Sequence, residues 1–348
     1  MNSIARDNTV AVDAGGRRAP FGGALIRPSR VDAAIAAQTD RRAAFSPVVV
    51  AIGAFALTLA VGLGAAHGFR PTPRLFGAFA MLASFTGALF LIYRDIRNDQ
   101  RIAYIFGALG VTSAIAYVNA ALALIVMTTP LPLQDEILMR ASAAIGVDYA
   151  ALMTAVARHP PIGDILWTAY DSCGPLDYAA LLFLAWTRQF VRLRRLVVLN
   201  ALLLTVCVTV ASFAPAMGYA IVAPLPVDVT AALPPGAAVY SKEIVELYRS
   251  GALRTLDPNY FNGVITFPSY HTVMALLVVY ACWATPILRW IALALTALML
   301  LSIIPIGGHY VWDMVAAVAL FAAALPLARR CEPGADREIV DDRETQID

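Results

Sequence analysis

The sequence has little charge. Only 14% of its 348 residues are Asp, Glu, Lys or Arg, where a soluble protein has roughly 25%. Lysine is almost missing, because Lys242 is the only lysine among the 26 basic residues. Hydrophobic residues make up 59% of the chain, and its mean hydropathy is +0.69. This composition excludes a soluble globular domain. It predicts a polytopic membrane protein, for which we expect the bilayer, and no nucleic acid, as a partner.

Cysteine is scarce as well. The four cysteines are scattered, with no Cys-x-x-Cys pair, so we predict neither a disulfide nor a cysteine metal site.

The first 45 residues contain no early apolar segment, which argues against a cleavable signal peptide. We expect residues 1–45 to form a disordered cytoplasmic tail and the polar, acidic residues 331–348 to form a second one.

Apolar segments recur along the rest of the chain, several of them longer than the roughly 18 residues that cross a bilayer. Two intervening segments are rich in proline and polar residues. Segment 129–175 has helical periodicity but is too polar to span, and 220–269 is typical of an extended loop followed by a short helix near 241–254. The prediction is an all-α fold: a polytopic membrane bundle of about eight transmembrane helices, with short interfacial helices in the outer loops. The eight spans are 47–67, 75–93, 102–128, 176–191, 196–219, 270–286, 288–306 and 309–328.

The basic residues are unevenly divided between the two sides of this arrangement. With the N-terminus inside, seventeen arginines fall in inner segments, four of them in a predicted loop at 188–195, against seven basic residues in outer segments. Cytoplasmic segments carry such an excess. We therefore expect both termini in the cytoplasm and both long loops outside. The arginine-rich, lysine-poor composition indicates a GC-rich bacterium, which places the protein in the inner membrane and the long loops in the periplasm.

Two short motifs place histidines at the outer ends of predicted spans. "FPSYH" opens the sixth span with His271, and "GGHYVWD" opens the eighth with His309. Asp313 follows His309 by four residues, a spacing that puts two side chains on one face of a helix. A Pro-Ser pair ending at Ser269 is typical of a helix N-terminus, whose free N–H groups and dipole attract anions.

Two histidines, a carboxylate and a helix N-terminus suit the chemistry of a phosphate ester. Phosphoryl transfer through a covalent intermediate needs a nucleophile that works at neutral pH, and imidazole is one. A carboxylate on its far nitrogen fixes the tautomer, and a second histidine protonates the departing oxygen. A carboxylate within a membrane span is itself a mark of function. We therefore predict phosphoryl-transfer chemistry where the two motifs meet.

The two motifs resemble the second and third signature motifs of the type 2 phosphatidic acid phosphatase superfamily. They are most similar to those of its inositol phosphorylceramide synthase-like (inositolphosphotransferase) branch, where FPS-x-H precedes HY-x-x-D. The resemblance implies a six-helix phosphatase or phosphotransferase core over residues 102–330. Residues 46–101 would then form two accessory transmembrane helices.

The resemblance also assigns roles to the motif residues. It implies that His309 is the nucleophile, which forms a phosphohistidine, and that Asp313 orients it. It implies that His271 is the acid–base partner of the leaving group and that Ser269 is a phosphate ligand.

The chain departs from the superfamily's pattern at three points. Tyr270 replaces the glycine that many members have before the histidine. Ile303 replaces the arginine of the third motif, although Ser302 remains, and no Lys-x6-Arg-Pro first motif is present. Other residues must then bind the phosphate. The candidates are basic residues of the second outer loop, and two residues of the "AYDS" segment where the first motif would fall: Arg254, Arg249, Lys242, Tyr170 and Asp171.

Two reactions share the implied phosphohistidine. Attack by water makes the protein a lipid phosphatase, and attack by a lipid or sugar-alcohol hydroxyl makes it a phospho-head-group transferase. The substrate in both is a lipid phosphate or phospholipid. The alternative is a non-enzymatic lipid transporter or scaffold that retains the fold, although the chain has no recognisable internal inverted repeat. We expect no cofactor and no metal. Histidine and aspartate are ligand types for Zn²⁺, but the arginine-rich loops and the phosphate chemistry argue against it.

Overall fold

Long helices dominate the structure, a computed structural model that describes residues 43–261 and 263–334. A π-helical stretch, Ile92–Ile96, extends the second helix, and a 3-10 turn spans Pro258–Tyr260. The predicted all-α, polytopic membrane bundle is confirmed. In chain order the helices are α1 Pro47–Ala66, α2 Pro73–Leu91, α3 Gln100–Val126, α4 Asp135–Ala144, α5 Tyr149–Ala157, α6 Pro160–Asp171, α7 Cys173–Trp186, α8 Phe190–Phe213, α9 Tyr219–Val222, α10 Val227–Ala232, α11 Lys242–Arg249, α12 Tyr270–Cys282, α13 Pro286–Ile303 and α14 Val311–Cys331.

The first two helices begin where the sequence places a hydroxyl residue before proline. Ser46 Oγ accepts a hydrogen bond from the backbone N–H of Val48, and Thr72 Oγ1 accepts one from Leu75. Proline in the first turn loses no helical hydrogen bond, because the N–H groups of that turn have no partner in the helix. Such local signals explain why the starts of these spans are readable from the sequence.

Among the described residues, six helices are long and apolar enough to cross a membrane, namely α1, α2 with its π extension, α3, α8, α13 and α14. They match six of the eight predicted spans. The other two predicted spans correspond to shorter helices, α7 with 14 residues and α12 with 13. Helix α12 is about 20 Å long at 1.5 Å per residue, less than the roughly 30 Å hydrocarbon core. Helix α7 follows α6 after the single residue Ser172, which has helical dihedral angles.

The first intervening segment forms short helices, as its periodicity predicts. Helices α4 and α5 together are apolar enough for one further span, but an 82° bend separates them. Where these helices lie relative to the bilayer surface stays a prediction.

Helix α8 is central to the bundle and contains most of the predicted arginine loop. It packs against α1, α3, α7, α12 and α14. It begins at Phe190, so Arg192, Arg194 and Arg195 lie in its first two turns, not in a loop at 188–195. Arg192 donates a hydrogen bond to the backbone oxygen of Tyr280, close to the end of α12. One of the last carbonyl groups of this short helix is thus satisfied by a side chain of α8.

The second intervening segment contains the predicted short helix near 241–254, which is α11. The part before it is not the extended loop that its prolines indicate, because it contains the short helices α9 and α10. The segment also contributes Thr255–Leu256 to a two-residue parallel pairing with Arg70–Pro71, which follows α1. Arg70 N donates to Arg254 O at 2.8 Å, so the pairing ties this loop to the turn after the first helix. No local pattern marks a pairing between residues so far apart in the sequence.

Candidate active site

The two motif histidines lie at the N-termini of two neighbouring helices. His271 is the second residue of α12, and His309 comes two residues before the first residue of α14. Ser269 is the N-cap of α12, where its Oγ accepts a hydrogen bond from Thr272 N at 3.3 Å. The imidazole ring centroids are 5.8 Å apart. The structure therefore brings together the two motifs that the sequence pairs.

A backbone hydrogen bond joins the two helix starts directly. Ser269 N donates to the backbone oxygen of Asp313 at 3.1 Å. Ser269 and Asp313 are both fully buried. The relative position of the two histidines is thus fixed by main-chain contact as well as by side-chain packing.

His309 is held by two hydrogen-bond acceptors. Its Nδ1 lies 2.9 Å from the backbone oxygen of Thr266 and 3.2 Å from Asp313 Oδ2, and its side chain is 2% exposed. Because both partners are acceptors, Nδ1 carries a proton and donates to them. The lone pair then belongs to Nε2, which makes no hydrogen bond within the described part of the chain.

The contact between His309 and Asp313 differs in its origin from the prediction. The i, i+4 spacing suggested one helix face, but His309 precedes α14 and Asp313 lies in its first turn. Asp313 Oδ2 also accepts a hydrogen bond from Tyr310 N at 2.8 Å. The carboxylate therefore bridges the helix N-terminus and the imidazole. Because the Asp313 carboxylate has both partners, its orientation is fixed more firmly than a contact on the helix surface alone would fix it.

The two glycines of the third motif make room for these contacts. A Cβ on Gly307 would lie 2.7 Å from His309 Cδ2 and 2.7 Å from Tyr170 Cε2. Gly308 has a φ of +73°, and a Cβ there would meet the backbone oxygen of Ala238 at 2.5 Å. Only glycine fits this close approach and this left-handed backbone.

His271 has tyrosine neighbours. Its ring stacks on Tyr170, with centroids 4.3 Å apart, and its Nδ1 shares a hydrogen bond with the Tyr170 hydroxyl at 3.2 Å. That hydroxyl shares a second hydrogen bond with the Tyr240 hydroxyl at 2.9 Å. Tyr170 was a sequence candidate and does contact a motif histidine. Tyr240 was not, because it lies in a loop and in no recognisable motif.

A second residue that the sequence reading missed is Asp135, which is 2% exposed. Its Oδ1 accepts hydrogen bonds from Gly218 N and from the Tyr310 hydroxyl, both at 2.9 Å, and from Met217 N at 3.0 Å. The carboxylate thus joins the first intervening segment and the turn between α8 and α9 to Tyr310, the residue next to His309. Its only local signal is a carboxylate in the first turn of a helix, which is common.

Two of the basic candidates have partners outside the histidine pair. Arg249 donates to the backbone oxygen of Leu131 at 2.8 Å and to that of Thr129 at 3.4 Å. Lys242 Nζ lies 4.0 Å from a carboxylate oxygen of Glu246, and both side chains are about half exposed. Their role in binding phosphate stays a prediction.

Arg254 and Asp171 also lie apart from the histidines. The Arg254 guanidinium lies over the ring of Phe69, 5.5 Å from its centroid. Asp171 is exposed at the end of α6. Ile303, in the position of the superfamily's arginine, is fully buried. Within residues 43–261 and 263–334, no arginine or lysine side chain forms a hydrogen bond with His271 or His309.

The arrangement holds two imidazole rings side by side, with centroids 5.8 Å apart. The lone pair assigned to His309 Nε2 makes this nitrogen the candidate nucleophile. No three His, Cys, Asp or Glu side chains cluster as a metal site among the described residues. The geometry is therefore suited to attack by nitrogen on phosphorus, with proton transfer at the neighbouring ring.

The fold defines a polytopic membrane protein, in which two histidines lie side by side at the starts of two helices. A family model described as the PAP2 superfamily matches residues 136–327, which is more than half of the chain. The protein belongs to this superfamily, as the two motifs predict. No curated protein and no solved structure matches the chain. The superfamily's members are typically phosphatases and phosphotransferases, so membership supports an enzyme that acts on lipid phosphoesters.

Proposed function

We propose that the protein is an integral membrane enzyme that transfers the phosphoryl group of a lipid-linked phosphoester through a phosphohistidine on His309. The observation that carries this proposal is the pair of acceptors on Nδ1, the Thr266 carbonyl and the Asp313 carboxylate. They keep Nδ1 protonated and leave the lone pair on Nε2, next to His271.

The reaction has two steps. In the first, the Nε2 lone pair of His309 forms a bond to phosphorus, the bond from phosphorus to the lipid oxygen breaks, and His271 gives that oxygen a proton. In the second, the oxygen of an acceptor attacks phosphorus and gives its proton to His271, and the phosphorus–nitrogen bond breaks. Asp313 stabilises the positive charge on the His309 ring while the bond exists.

The helix N-termini supply part of the electrostatic support for the phosphate. Helices α12 and α14 both begin within two residues of a motif histidine, and a helix N-terminus carries roughly half a positive charge. Ser269 caps the first of them and is our proposed phosphate ligand. Arg254, Arg249, Lys242, Tyr170 and Asp171 remain candidates from the sequence, and of these only Tyr170 contacts a motif histidine.

We place the reaction on the outer face of a bacterial inner membrane, with both termini in the cytoplasm. The excess of arginines in the segments assigned to the inside supports this orientation. The FPS-x-H and HY-x-x-D spacing supports the inositolphosphotransferase-like branch, in which a lipid alcohol is the acceptor in place of water.

The test follows a ³²P label from a short-chain lipid substrate into the protein and into the products. Purified protein is incubated with ³²P-labelled short-chain phosphatidic acid or phosphatidylinositol, with and without a ceramide-type lipid alcohol, and then quenched. We expect labelled protein whose phosphorus–nitrogen bond is stable to alkali and labile to acid. A new labelled lipid that needs the alcohol indicates transfer. A water-soluble labelled product formed without the alcohol indicates hydrolysis, and this product is free phosphate from phosphatidic acid or inositol phosphate from phosphatidylinositol.

A matched pair of histidine variants gives the control. His309→Ala should remove both the labelled protein and the product. His159→Ala should retain both, because His159 is exposed and bonds only within its own segment. Turnover that persists in His309→Ala would refute the proposal. Lipid movement across vesicles without turnover would favour the transporter.

A further inference from the structure

The two motif histidines have chemically different partners on Nδ1. His309 faces a carbonyl and a carboxylate, which only accept hydrogen bonds. His271 faces the hydroxyl of Tyr170, which both donates and accepts. When Nδ1 faces only acceptors, it must donate, and this holds the imidazole in one tautomer. A hydroxyl can donate or accept, so it remains hydrogen-bonded to the ring in either tautomer and in either protonation state.

This difference matches the two roles in the reaction. A nucleophile needs a fixed lone pair, and acceptors on the far nitrogen provide it. An acid–base group loses a proton in one step and regains it in the next, so its partner must tolerate both states. The Tyr240 hydroxyl lies 2.9 Å from that of Tyr170. It can therefore accept the Tyr170 proton in a hydrogen bond when His271 Nδ1 does not.

We propose that Tyr170 and Tyr240 form a hydroxyl pair that positions His271 for proton transfer to and from the lipid oxygen, with Tyr240 acting through Tyr170. This inference rests on the proposed function. It makes Tyr240 a positioning residue, and it gives Tyr170 a role next to the acid–base group in place of the phosphate-binding role that its motif position suggested.

Both phenols are suited to such a role because they stay neutral. Burial raises the pKa of Tyr170 well above its ordinary value, and burial also raises the pKa of Tyr240. A neutral hydroxyl keeps its proton and its donor–acceptor character across the range in which histidine titrates.

Gly263 lies beside both the Tyr240 hydroxyl and His271, where a larger residue would crowd them. A Cβ on Gly263 would lie 3.0 Å from the Tyr240 hydroxyl oxygen and 3.5 Å from His271 Cε1. Gly263 is exposed, so the phenol and the imidazole lie close beneath the surface at this point. The glycine thus keeps a side chain away from the edge of His271.

The test uses the dependence of the rate on the leaving group. An alkyl oxygen needs a proton as it departs, whereas a nitrophenolate departs without one, so a defect in proton donation by His271 slows the first step, phosphohistidine formation, only with the alkyl ester. The probes are dioctanoyl phosphatidic acid and nitrophenyl phosphate. If the protein turns over only diesters, the corresponding alkyl and nitrophenyl diesters replace them.

We expect Tyr240→Phe to lower the rate of phosphohistidine formation about 10-fold with the alkyl ester and less than about threefold with the nitrophenyl ester. Tyr170→Phe should lower the rate with the alkyl ester further, about 30-fold, which stays below the 10²–10⁴-fold contribution of a complete general acid–base group. The matched control is Tyr248→Phe, which removes a buried hydroxyl that bonds to the Thr255 carbonyl. Its two rates should not change.

The outcomes separate this inference from the function on which it rests. Equal losses on both esters in Tyr240→Phe, with the phosphohistidine still trapped, would overturn the positioning role and leave the function standing. Turnover that survives in His309→Ala would instead overturn the function. Thermal unfolding of each variant in detergent shows whether it is folded, and a folded Tyr240→Phe that matches the unsubstituted protein on both esters also overturns the positioning role.

Discussion

Two ends of the bundle contrast in how they use charge. We call the N-termini of α12 and α14, with Asp135, the histidine end. We call the N-terminus of α8, with the residues just after α14, the arginine end. The 21 residues of α14 separate the two by about 30 Å. At the histidine end, buried carboxylates bind backbone N–H groups, an imidazole and a phenol. At the arginine end, guanidinium groups bind carbonyls and a carboxylate.

The arginine end shows what buried cations do in this chain. Arg194 donates from Nε to Glu332 Oε2 at 2.9 Å and from Nη1 to the Tyr104 hydroxyl at 2.8 Å. Arg195 donates to the backbone oxygens of Glu332 and Gly334. These contacts hold the end of α14 against the start of α8. The contrast teaches that the arginines at the start of α8 serve packing, whereas the proposed chemistry lies at histidines that form no hydrogen bond with a described arginine or lysine.

The largest expected effect is that of Asp313→Asn at the histidine end. An amide supports an imidazolium poorly, and in a Ser-His-Asp triad this change lowers kcat by roughly 10⁴-fold. Here the Thr266 carbonyl still accepts from Nδ1 and keeps the tautomer. We therefore expect a smaller loss of about 10³-fold, measured as turnover of a short-chain lipid phosphoester. A loss below about 10-fold would mean that the carboxylate does not serve His309.

Asp135→Ala comes next and tests the rigidity of the same end. It leaves two backbone N–H groups and the Tyr310 hydroxyl without their acceptor. Each such group costs about 1–3 kcal/mol, so we expect the free energy of unfolding to fall by about 3 kcal/mol or more, together with a loss of turnover. Thermal unfolding in detergent is the measurement.

The control for Asp135 is another aspartate at a helix start. Asp148 Oδ1 caps α5 by accepting from Ala151 N at 3.0 Å, but this contact is exposed. Asp148→Ala should cost about 1 kcal/mol and leave turnover intact. Equal effects of the two substitutions would show that Asp135 does not anchor His309 through Tyr310.

How much of the fold could be predicted from the sequence depends on how far apart along the chain the interacting residues lie. The long helices follow from hydropathy and from prolines and hydroxyl caps, all of which act over a few residues. The short helix α12 was predicted as a full span because its apolar run continues past Cys282, and the partner of its last turn, Arg192, is distant in the sequence. The starting arginines of α8 were read as a loop because charge in an apolar chain usually marks one.

The site divides in the same way. His271, His309 and Asp313 were predictable because they lie in two compact motifs. Asp135 and Tyr240 were not, because their partners Tyr310 and Tyr170 lie 175 and 70 residues away. Such contacts depend on how the loops fold back over the helix ends, and no periodicity records that.

At the arginine end, Arg194→Met should affect stability alone. It removes the charged hydrogen bonds to Glu332 and to Tyr104, and we expect the free energy of unfolding to fall by about 1–2 kcal/mol. Turnover per folded molecule should stay within about twofold. Arg140→Met is the matched control, because its pair with Glu136 is exposed and contributes little. A selective loss of turnover in Arg194→Met would show that the two ends are coupled through α14.

The smallest expected effects are those of Arg254→Met and Lys242→Met, and they test the contrast most directly. Methionine has an unbranched side chain without charge and so removes the Arg254 guanidinium that lies over Phe69. If the histidine end works without a side-chain cation, kcat/KM for the short-chain phosphoester should change by less than about threefold in Arg254→Met, which is below 1 kcal/mol. Lys242→Met should change it still less, because this amine is half exposed beside Glu246. A loss above about 30-fold in Arg254→Met alone would mean that the second loop carries this arginine to the phosphate when substrate binds. In that event an arginine would act at both ends of the bundle, at the arginine end in the free protein and at the histidine end only when substrate is bound.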